Sequence, residues 1–246
     1  MAQDQPDDKL AARVLPAGLY SALRHVFAQR VRRCMLVGGT ALAGYYAGHR
    51  RSDDLDLFAA DAGAFRAAVL AVGSLRDIGT AVEARQSTPQ FFDALCSVEE
   101  HTFTAQVVLD PNVFAVGRSV VADDGVAVAD LSTLLKQKLA TLVSRCSEKD
   151  LYDLSWLFGA FPELHTDQLV ELGREVDGGM TAETALISLA GTTVKQSACG
   201  FSVAQSEAEA FRDVTALKRQ LERVFHRLAK RQPAGAVGDL IRALRK

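Results

Sequence analysis

The chain has 246 residues, of which 48% are apolar and 24% charged, and its formal net charge at pH 7 is -2. These proportions are typical of a globular protein with its own core, and they exclude disordered, collagen-like and disulfide-scaffold chains. No apolar stretch approaches the ~18 residues of a membrane span, and residues 1–8 are too polar for a signal peptide, so we expect a cytoplasmic protein without a membrane partner. The four cysteines form no C-x-x-C pair, and reduced thiols are expected.

The first elements alternate between helix and strand. The apolar spacing over residues 10–27 predicts two short helices with a break at Pro16. A short apolar run at 34–37 predicts a buried strand, and residues 41–47 are predicted to form a helix.

Two glycines lie between that strand and that helix. Gly38 and Gly39 would let phosphate oxygens approach the backbone, where a Cβ would obstruct them. The N–H groups at the start of the following helix favour an anion. The hydroxyl of Thr40 fits either an N-cap or a contact with a substrate.

The next strand carries paired carboxylates. Asp54 and Asp56 alternate with Leu55 and Leu57, which on a strand places both carboxylates on one face and both leucines on the other. Carboxylates arranged in this way can hold two divalent cations ~4 Å apart, as phosphoryl and nucleotidyl transfer require.

The rest of the first half is predicted to contain one helix and several strands. A helix is expected over 61–73, strands over 82–85 and 97–109, and a small hairpin over 120–128. Asp110 and Pro111 end the second strand with turn residues.

Beyond Asp130 every predicted element is a helix. The predicted helices cover 131–144, 149–158, 167–176, 181–190 and 203–230. We therefore predict an α+β domain over residues 1–125 and an all-helical domain over residues 126–246.

Two blocks of this sequence resemble a known family. The stretch LVGGTAL at 36–42 with HRRSDDLDLF at 49–58 is similar to the AbiEii/AbiGii toxin family, which belongs to the minimal nucleotidyltransferases of the DNA polymerase β superfamily. A helical lysine, an arginine and the stretch KDLYDL at 149–154 resemble the second block of that family. The resemblance covers roughly residues 34–158 and implies a nucleotidyltransferase-type mixed sheet with flanking helices in the α+β domain.

The resemblance also implies roles for the first block. Asp54 and Asp56 would be catalytic and would bind the metal. The alternative without a catalytic role is a solvated aspartate cluster beside a tight turn. Gly38, Gly39 and Thr40 would hold the triphosphate. Ser52 would bind nucleotide, although a simple turn hydroxyl explains it as well.

The second block would supply four further residues. Lys138 would be catalytic and Arg145 would bind nucleotide; seven residues apart, they would share a face of one helix. Asp153 would be catalytic and Asp150 would bind nucleotide; at i and i+3 the two can meet, where they could orient the lysine, assist as a base or pair with the arginine. A purely structural ion-pair network is the alternative for this group.

One departure from the superfamily concerns a third carboxylate on a later strand. The register that resembles the family puts Gln106 or Val107 at that place, and Asp110 looks more like a turn aspartate. If the third carboxylate is absent, the base would come from Asp153 or another acid, or activity would be weak.

The C-terminal segment has a charge opposite to that of the whole chain. Residues 212–246 contain ten Lys or Arg and three Asp or Glu, a balance of +7. Such a segment could contact RNA phosphates, dock an acidic protein or form a solvated face.

The leading hypothesis is a nucleotidyltransferase that uses Mg²⁺ or Mn²⁺ to transfer a nucleoside monophosphate from an NTP to an acceptor. The resemblance implies a toxin from a toxin–antitoxin or phage-defence system, a tRNA 3′ end or protein hydroxyl as acceptor, and a cognate antitoxin as partner. The alternatives are an antibiotic-type small-molecule nucleotidyltransferase and a degenerate member that only binds or regulates.

Overall fold

The computed structural model describes residues 5–232 and 235–244. The chain packs as two compact units, the first ending at Leu134 and the second beginning at Leu135. That the chain forms two domains, with a boundary between residues 125 and 126, stays a prediction.

The first unit is built on a mixed sheet. Within the described residues, seven strands pair in the order β3-β4-β5-β2-β1-β7-β6. The pairs β2–β5 and β1–β7 are parallel, and the other neighbours are antiparallel. The predicted α+β class with a mixed sheet is thus confirmed. The strands are β1 (Cys34–Leu36), β2 (Asp54–Ala59), β3 (Ala81–Ser87), β4 (Phe91–Val98), β5 (His101–Leu109), β6 (Ser119–Val121) and β7 (Ala127–Ala129).

Helices flank this sheet, and short polar side chains begin several of them. Asp7, Asp61 and Asp110 each accept a hydrogen bond from a backbone N–H in the first turn of the helix that follows. Pro16 separates the first two helices as predicted. The helices are α1 (Asp8–Val14), α2 (Ala17–Ala28), α3 (Gly38–Leu42) with a π-helical continuation (Ala43–Ala47), α4 (Ala62–Gly73) with a 3-10 turn (Ser74–Ile78), and α5 (Pro111–Val116).

The alternation on β2 is the one predicted. Leu55, Leu57 and Ala59 are buried, whereas Asp54 and Asp56 lie on the opposite, half-buried face. Because a strand has a period of two, burying the leucines in the core necessarily presents both carboxylates together on the other face.

Strand β4 is a correction to the sequence prediction. A single strand over 97–109 was expected, but the chain turns at 99–100 and forms the antiparallel pair β4–β5. The turn contains two glutamates, with Glu99 at φ 52, and lacks the Asn-Gly or Gly residues that normally mark a two-residue hairpin. The prediction therefore missed both the turn and the strand before it.

The second unit is helical in its described part, with one isolated β-bridge between His165 and Ala236. The five helices predicted beyond Asp130 are all present, and three of them begin with a capping box formed by Ser147, Thr181 or Ser206. The helices are α6 (Leu131–Ser144), which begins in the first unit, then α7 (Glu148–Ala160), α8 (Gln168–Val176), α9 (Ala182–Gly191), a 3-10 turn (Gln196–Ala198), α10 (Glu207–Ala229) and α11 (Val237–Leu244).

Two further observations concern the cysteines and the apolar character of the helices. All four cysteines are buried and none forms a disulfide, and burial raises the pKa of the Cys34 thiol to about 12. Across the described ranges, no helix combines the length and the apolar character needed to cross a bilayer.

Candidate active site

The glycine loop follows β1 and lies against β2. Gly38 has φ +69, a left-handed conformation that favours glycine, and a Cβ at this position would meet the carboxylate of Asp56. The N–H of Val37 donates to the backbone oxygen of Asp56 at 2.9 Å, which ties the loop to that strand. The predicted glycine loop and the predicted carboxylate of Asp56 are therefore next to each other.

Gly39 is needed for a different reason. A Cβ there would meet the guanidinium of Arg50 and would lie 2.9 Å from the hydroxyl of Ser52. Arg50 is only 4% exposed, and one of its Nη atoms donates to the carbonyl of Arg51 at 2.8 Å. A buried guanidinium thus lies beside the loop. Arg50 belongs to the HRRSDDLDLF motif, but the sequence predicted no role for it.

Thr40 and Ser52 hold the two segments of the site together. Helix α3 begins at Gly38 and its N-cap is Val37, so Thr40 is a residue within the helix and not its cap. The buried Thr40 hydroxyl donates to the backbone oxygen of Asp54 and lies 3.0 Å from the Ser52 hydroxyl. Both hydroxyls are almost fully buried, so they fix the start of β2 relative to the glycine loop.

The carboxylates of β2 have polar neighbours on β5. Asp54 accepts a hydrogen bond from the Thr104 hydroxyl at 2.5 Å. Asp56 pairs in register with Gln106, whose amide donates to Asp93 of β4 at 3.0 Å. The side chains of Asp56, Gln106 and Asp93 therefore form a row across three strands of one sheet face.

That row clarifies the question of a third carboxylate. Gln106 occupies the position beside Asp56, as the sequence register indicated. Asp110 accepts from the N–H of Val113 at 3.0 Å and so caps α5, in keeping with its expected character as a turn aspartate. A further acid on this face is Asp93, which the sequence prediction missed because strand β4 was missed; the alternation of buried Phe92 and Cys96 around it was the available signal.

The arrangement suits a divalent cation bound together with a phosphate. In the described part of the chain, no three His, Cys, Asp or Glu side chains form a ready-made metal site. Asp54 and Asp56 nevertheless supply two carboxylates on one strand face, and bare backbone at Gly38 lies directly beside one of them. Mg²⁺ typically takes one or two protein carboxylates and fills its remaining positions with phosphate oxygens and water, so the residues present fit such an ion.

The second unit contains the other group of predicted residues, joined by ion pairs. The ammonium of Lys138 lies 2.8 Å from Asp150 and 2.7 Å from Asp153. All three residues are buried, with 6%, 1% and 0% of their surfaces exposed. The expected meeting of the two aspartates on one helix face is confirmed, and it is the lysine that they meet.

Arg145 is peripheral to this network. It follows the last residue of α6, its N–H still donates to the Thr141 carbonyl at 2.8 Å as in the helix, and like Lys138 it lies near Asp150. Its side chain is 74% exposed and lies 3.7 Å from Asp150. Asp150 also accepts a hydrogen bond from the Ser147 hydroxyl at 2.6 Å, in the capping box of α7.

These neighbours control the ionisation of Asp150. Burial alone would raise the pKa of this carboxyl group, but the opposing influence of Lys138, Ser147 and Arg145 is larger, so the pKa lies below its ordinary value. Asp150 is therefore an anion at neutral pH, as an ion pair with Lys138 requires.

A mixed sheet with a glycine loop, paired aspartates and a following helical unit defines a nucleotidyltransferase-like protein. Residues 21–232 match the family described as the nucleotidyl transferase AbiEii toxin of type IV toxin–antitoxin systems. This match covers most of the chain, so the chain belongs to that family and is a nucleotidyltransferase toxin of the AbiEii type. The resemblance seen in the sequence is confirmed.

Solved structures support the fold. JHP933 from Helicobacter pylori has a TM-score of 0.51 and 15% identity, over 88% of this chain and 97% of that chain. MenT4, a nucleotidyltransferase toxin from Mycobacterium tuberculosis H37Rv, has a TM-score of 0.52 and 18% identity, over 97% of this chain and 99% of that chain. No protein of curated function matches the chain significantly in sequence.

Proposed function

We propose that this protein transfers a nucleoside monophosphate from an NTP to an acceptor hydroxyl in a reaction that depends on Mg²⁺ or Mn²⁺. The observation that supports this most directly is the carboxylate of Asp56 lying against the backbone of Gly38, with Asp54 on the same strand face. This arrangement puts candidate metal ligands and a candidate phosphate cradle at one place in the sheet.

The reaction would be an in-line displacement. The acceptor oxygen forms a bond to the α-phosphorus while the bond from that phosphorus to the bridging oxygen of the β-phosphate breaks. Pyrophosphate leaves with the electron pair, and the proton of the acceptor hydroxyl passes to a base. When bound, the divalent cations would lower the pKa of the acceptor hydroxyl and neutralise charge on the leaving pyrophosphate.

Residues of the first unit would bind the substrate and the metal. Asp54 and Asp56 would hold the cations, and the loop at Gly38 and Gly39 would receive the phosphates. The missing Cβ atoms leave room for the Asp56 carboxylate and the Arg50 guanidinium directly against this loop. Thr40 and Ser52, almost fully buried and within 3.0 Å of each other, would keep the loop and the start of β2 in position.

Residues of the second unit would provide a further charged group. Lys138 would act as a catalytic cation, with Asp150 holding it in place, and Asp153 is the proposed base. Arg145, mostly exposed, is suited to bidentate contact with a phosphate of the nucleotide. Asp93 is the alternative base, because it lies on the same sheet face as Asp56.

The acceptor class and the biological setting are also part of the proposal. We infer a cytoplasmic toxin that modifies the 3′ end of a tRNA, or else a protein hydroxyl, in phage defence. Membership of a toxin–antitoxin family supports a cognate antitoxin as partner and an NTP as substrate.

The test is transfer of label from each of the four α-³²P-labelled NTPs to total tRNA, with Mg²⁺ and a no-RNA arm. Asp54→Ala/Asp56→Ala should lose transfer by a factor of 10³ or more while keeping its thermal unfolding profile, since the residues that hold the cations are absent. The matched control is Asp53→Ala, which removes an exposed neighbouring carboxylate and should retain activity. Undiminished transfer by the double variant would refute the assignment, and label found only on a small-molecule acceptor would favour the antibiotic-type alternative.

A further inference from the structure

Helix α10 of the second unit carries a row of arginines. Arg219, Arg223 and Arg227 follow one another at intervals of four residues, so they lie along one helix face, and all three are exposed. Residues 214–230 contain one acidic residue, Glu222, and this side chain is paired with Lys218 at 2.6 Å. The row therefore has an excess of positive charge.

The arginines border an open groove of about 870 Å³ within the second unit. Its apolar lining includes Val224 of the same helix, Leu186 of α9 and Leu240 of α11, and Glu222 is the acidic residue among the lining side chains. The groove is thus a concave surface with a line of cations along it, and not an isolated charge on a convex face.

Two of the groove's charges, those of Arg219 and Arg223, are poorly explained by folding alone. In the part of the chain that the structure describes, Arg219 and Arg223 form no ion pair or side-chain hydrogen bond with a carboxylate. Cations near a helix C-terminus do complement the helix dipole, but that effect falls off within the last turn, and Arg219 lies ten residues before the end of α10.

The spacing and the residue type favour phosphates as ligands. Residues four apart on a helix are about 5–6 Å apart at Cβ, and a nucleic-acid strand presents phosphates as a regular row of negative charges. The planar guanidinium can contact two oxygens of one phosphate, which a lysine cannot do. An acidic protein segment would not require cations in such a regular row.

We propose that this arginine groove binds the phosphate backbone of an RNA, and that the RNA is the acceptor. The second part of this inference rests on the proposed function. The groove contributes affinity and orientation, whereas the chemistry is carried out by the residues described above.

Binding can be measured separately from catalysis. A fluorescein-labelled tRNA transcript is titrated with the full chain in EDTA without NTP, and anisotropy is followed from 50 to 200 mM salt. Arg219→Gln/Arg223→Gln should weaken binding about tenfold or more at 100 mM salt, and should make the slope of log K against log salt less steep by about 1.4–1.8. The matched control is Arg85→Gln/Arg212→Gln, which removes the same charge from exposed positions outside the groove and should change the slope little.

Three outcomes would overturn the proposal. The first is equal affinity and slope for the groove variant and wild type, and the second is an equal loss in both double variants, which would indicate net charge alone. The third is loss of binding to a labelled poly-glutamate peptide without loss of tRNA binding, which would assign the groove to an acidic protein partner. If tRNA binds through the groove but is never labelled by an NTP, the acceptor assignment fails and the binding site stands.

Discussion

Removal of the Lys138 charge gives the sharpest test of how the helical unit is held together. The ammonium lies 2.8 and 2.7 Å from two carboxylates that are 1% and 0% exposed as residues. Lys138→Met keeps an apolar stem of similar length but leaves Asp150 and Asp153 buried without this cation. Breaking a buried ion pair by removing one partner costs about 3–5 kcal/mol, and Arg145 can compensate only weakly because its side chain is 74% exposed.

Such a loss is large against the roughly 5–15 kcal/mol of a typical domain, so it should be visible in urea unfolding followed by helical circular dichroism. The triple variant Lys138→Met/Asp150→Asn/Asp153→Asn should recover most of the stability, because no buried charge then lacks a counter-charge, but it should not recover nucleotide transfer. In the single variant the two carboxyl groups would have raised pKa values, so its stability should increase as the pH falls from 7 towards 5. A loss below about 1 kcal/mol, or a triple variant no more stable than the single one, would contradict the idea that the cation stabilises these buried carboxylates.

The remaining predictions concern the glycine loop and acid sensitivity. Gly39→Ala would place a Cβ against the buried guanidinium of Arg50, so we expect about 1–3 kcal/mol of destabilisation and weaker NTP binding by calorimetry. Gly159→Ala is its control, since a Cβ there meets open space in a helix and should stabilise the protein by about 0.5–1 kcal/mol; equal effects of the two changes would contradict the loop geometry. The depressed pKa of Asp150 means that its contribution to stability is fully present above the ordinary aspartate pKa and is lost as the pH falls through its lower folded-state pKa. Urea unfolding between pH 5 and 2.5 should therefore show a steeper acid loss for wild type than for Asp150→Asn, and identical profiles would refute this assignment.

Local patterns in the sequence were sufficient for much of the first unit. The alternation of Asp54 and Asp56 with buried leucines predicted which face of β2 carries the carboxylates, because the two-residue period of a strand is a local property. The double glycine after β1 likewise predicted a close backbone approach, and a positive φ at Gly38 is what such a residue permits. Strand β4 was missed because its turn at 99–100 lacks the residues that usually mark a hairpin.

The sequence by itself determined the α+β and helical halves, the pair of aspartates on one strand face and the family. The tertiary structure alone decided which groups contact these residues. Arg50 lies against Gly39, and Asp93 of β4 accepts a hydrogen bond from Gln106 of the neighbouring strand β5. Neither contact follows from spacing along the chain. Lys138 is enclosed by Asp150 and Asp153 because two helices pack together, and this burial changes an ordinary surface charge into one whose removal is costly. Periodicity is set by neighbours in sequence, whereas desolvation and ion pairing are set by neighbours in space, and for this reason only the fold reveals them.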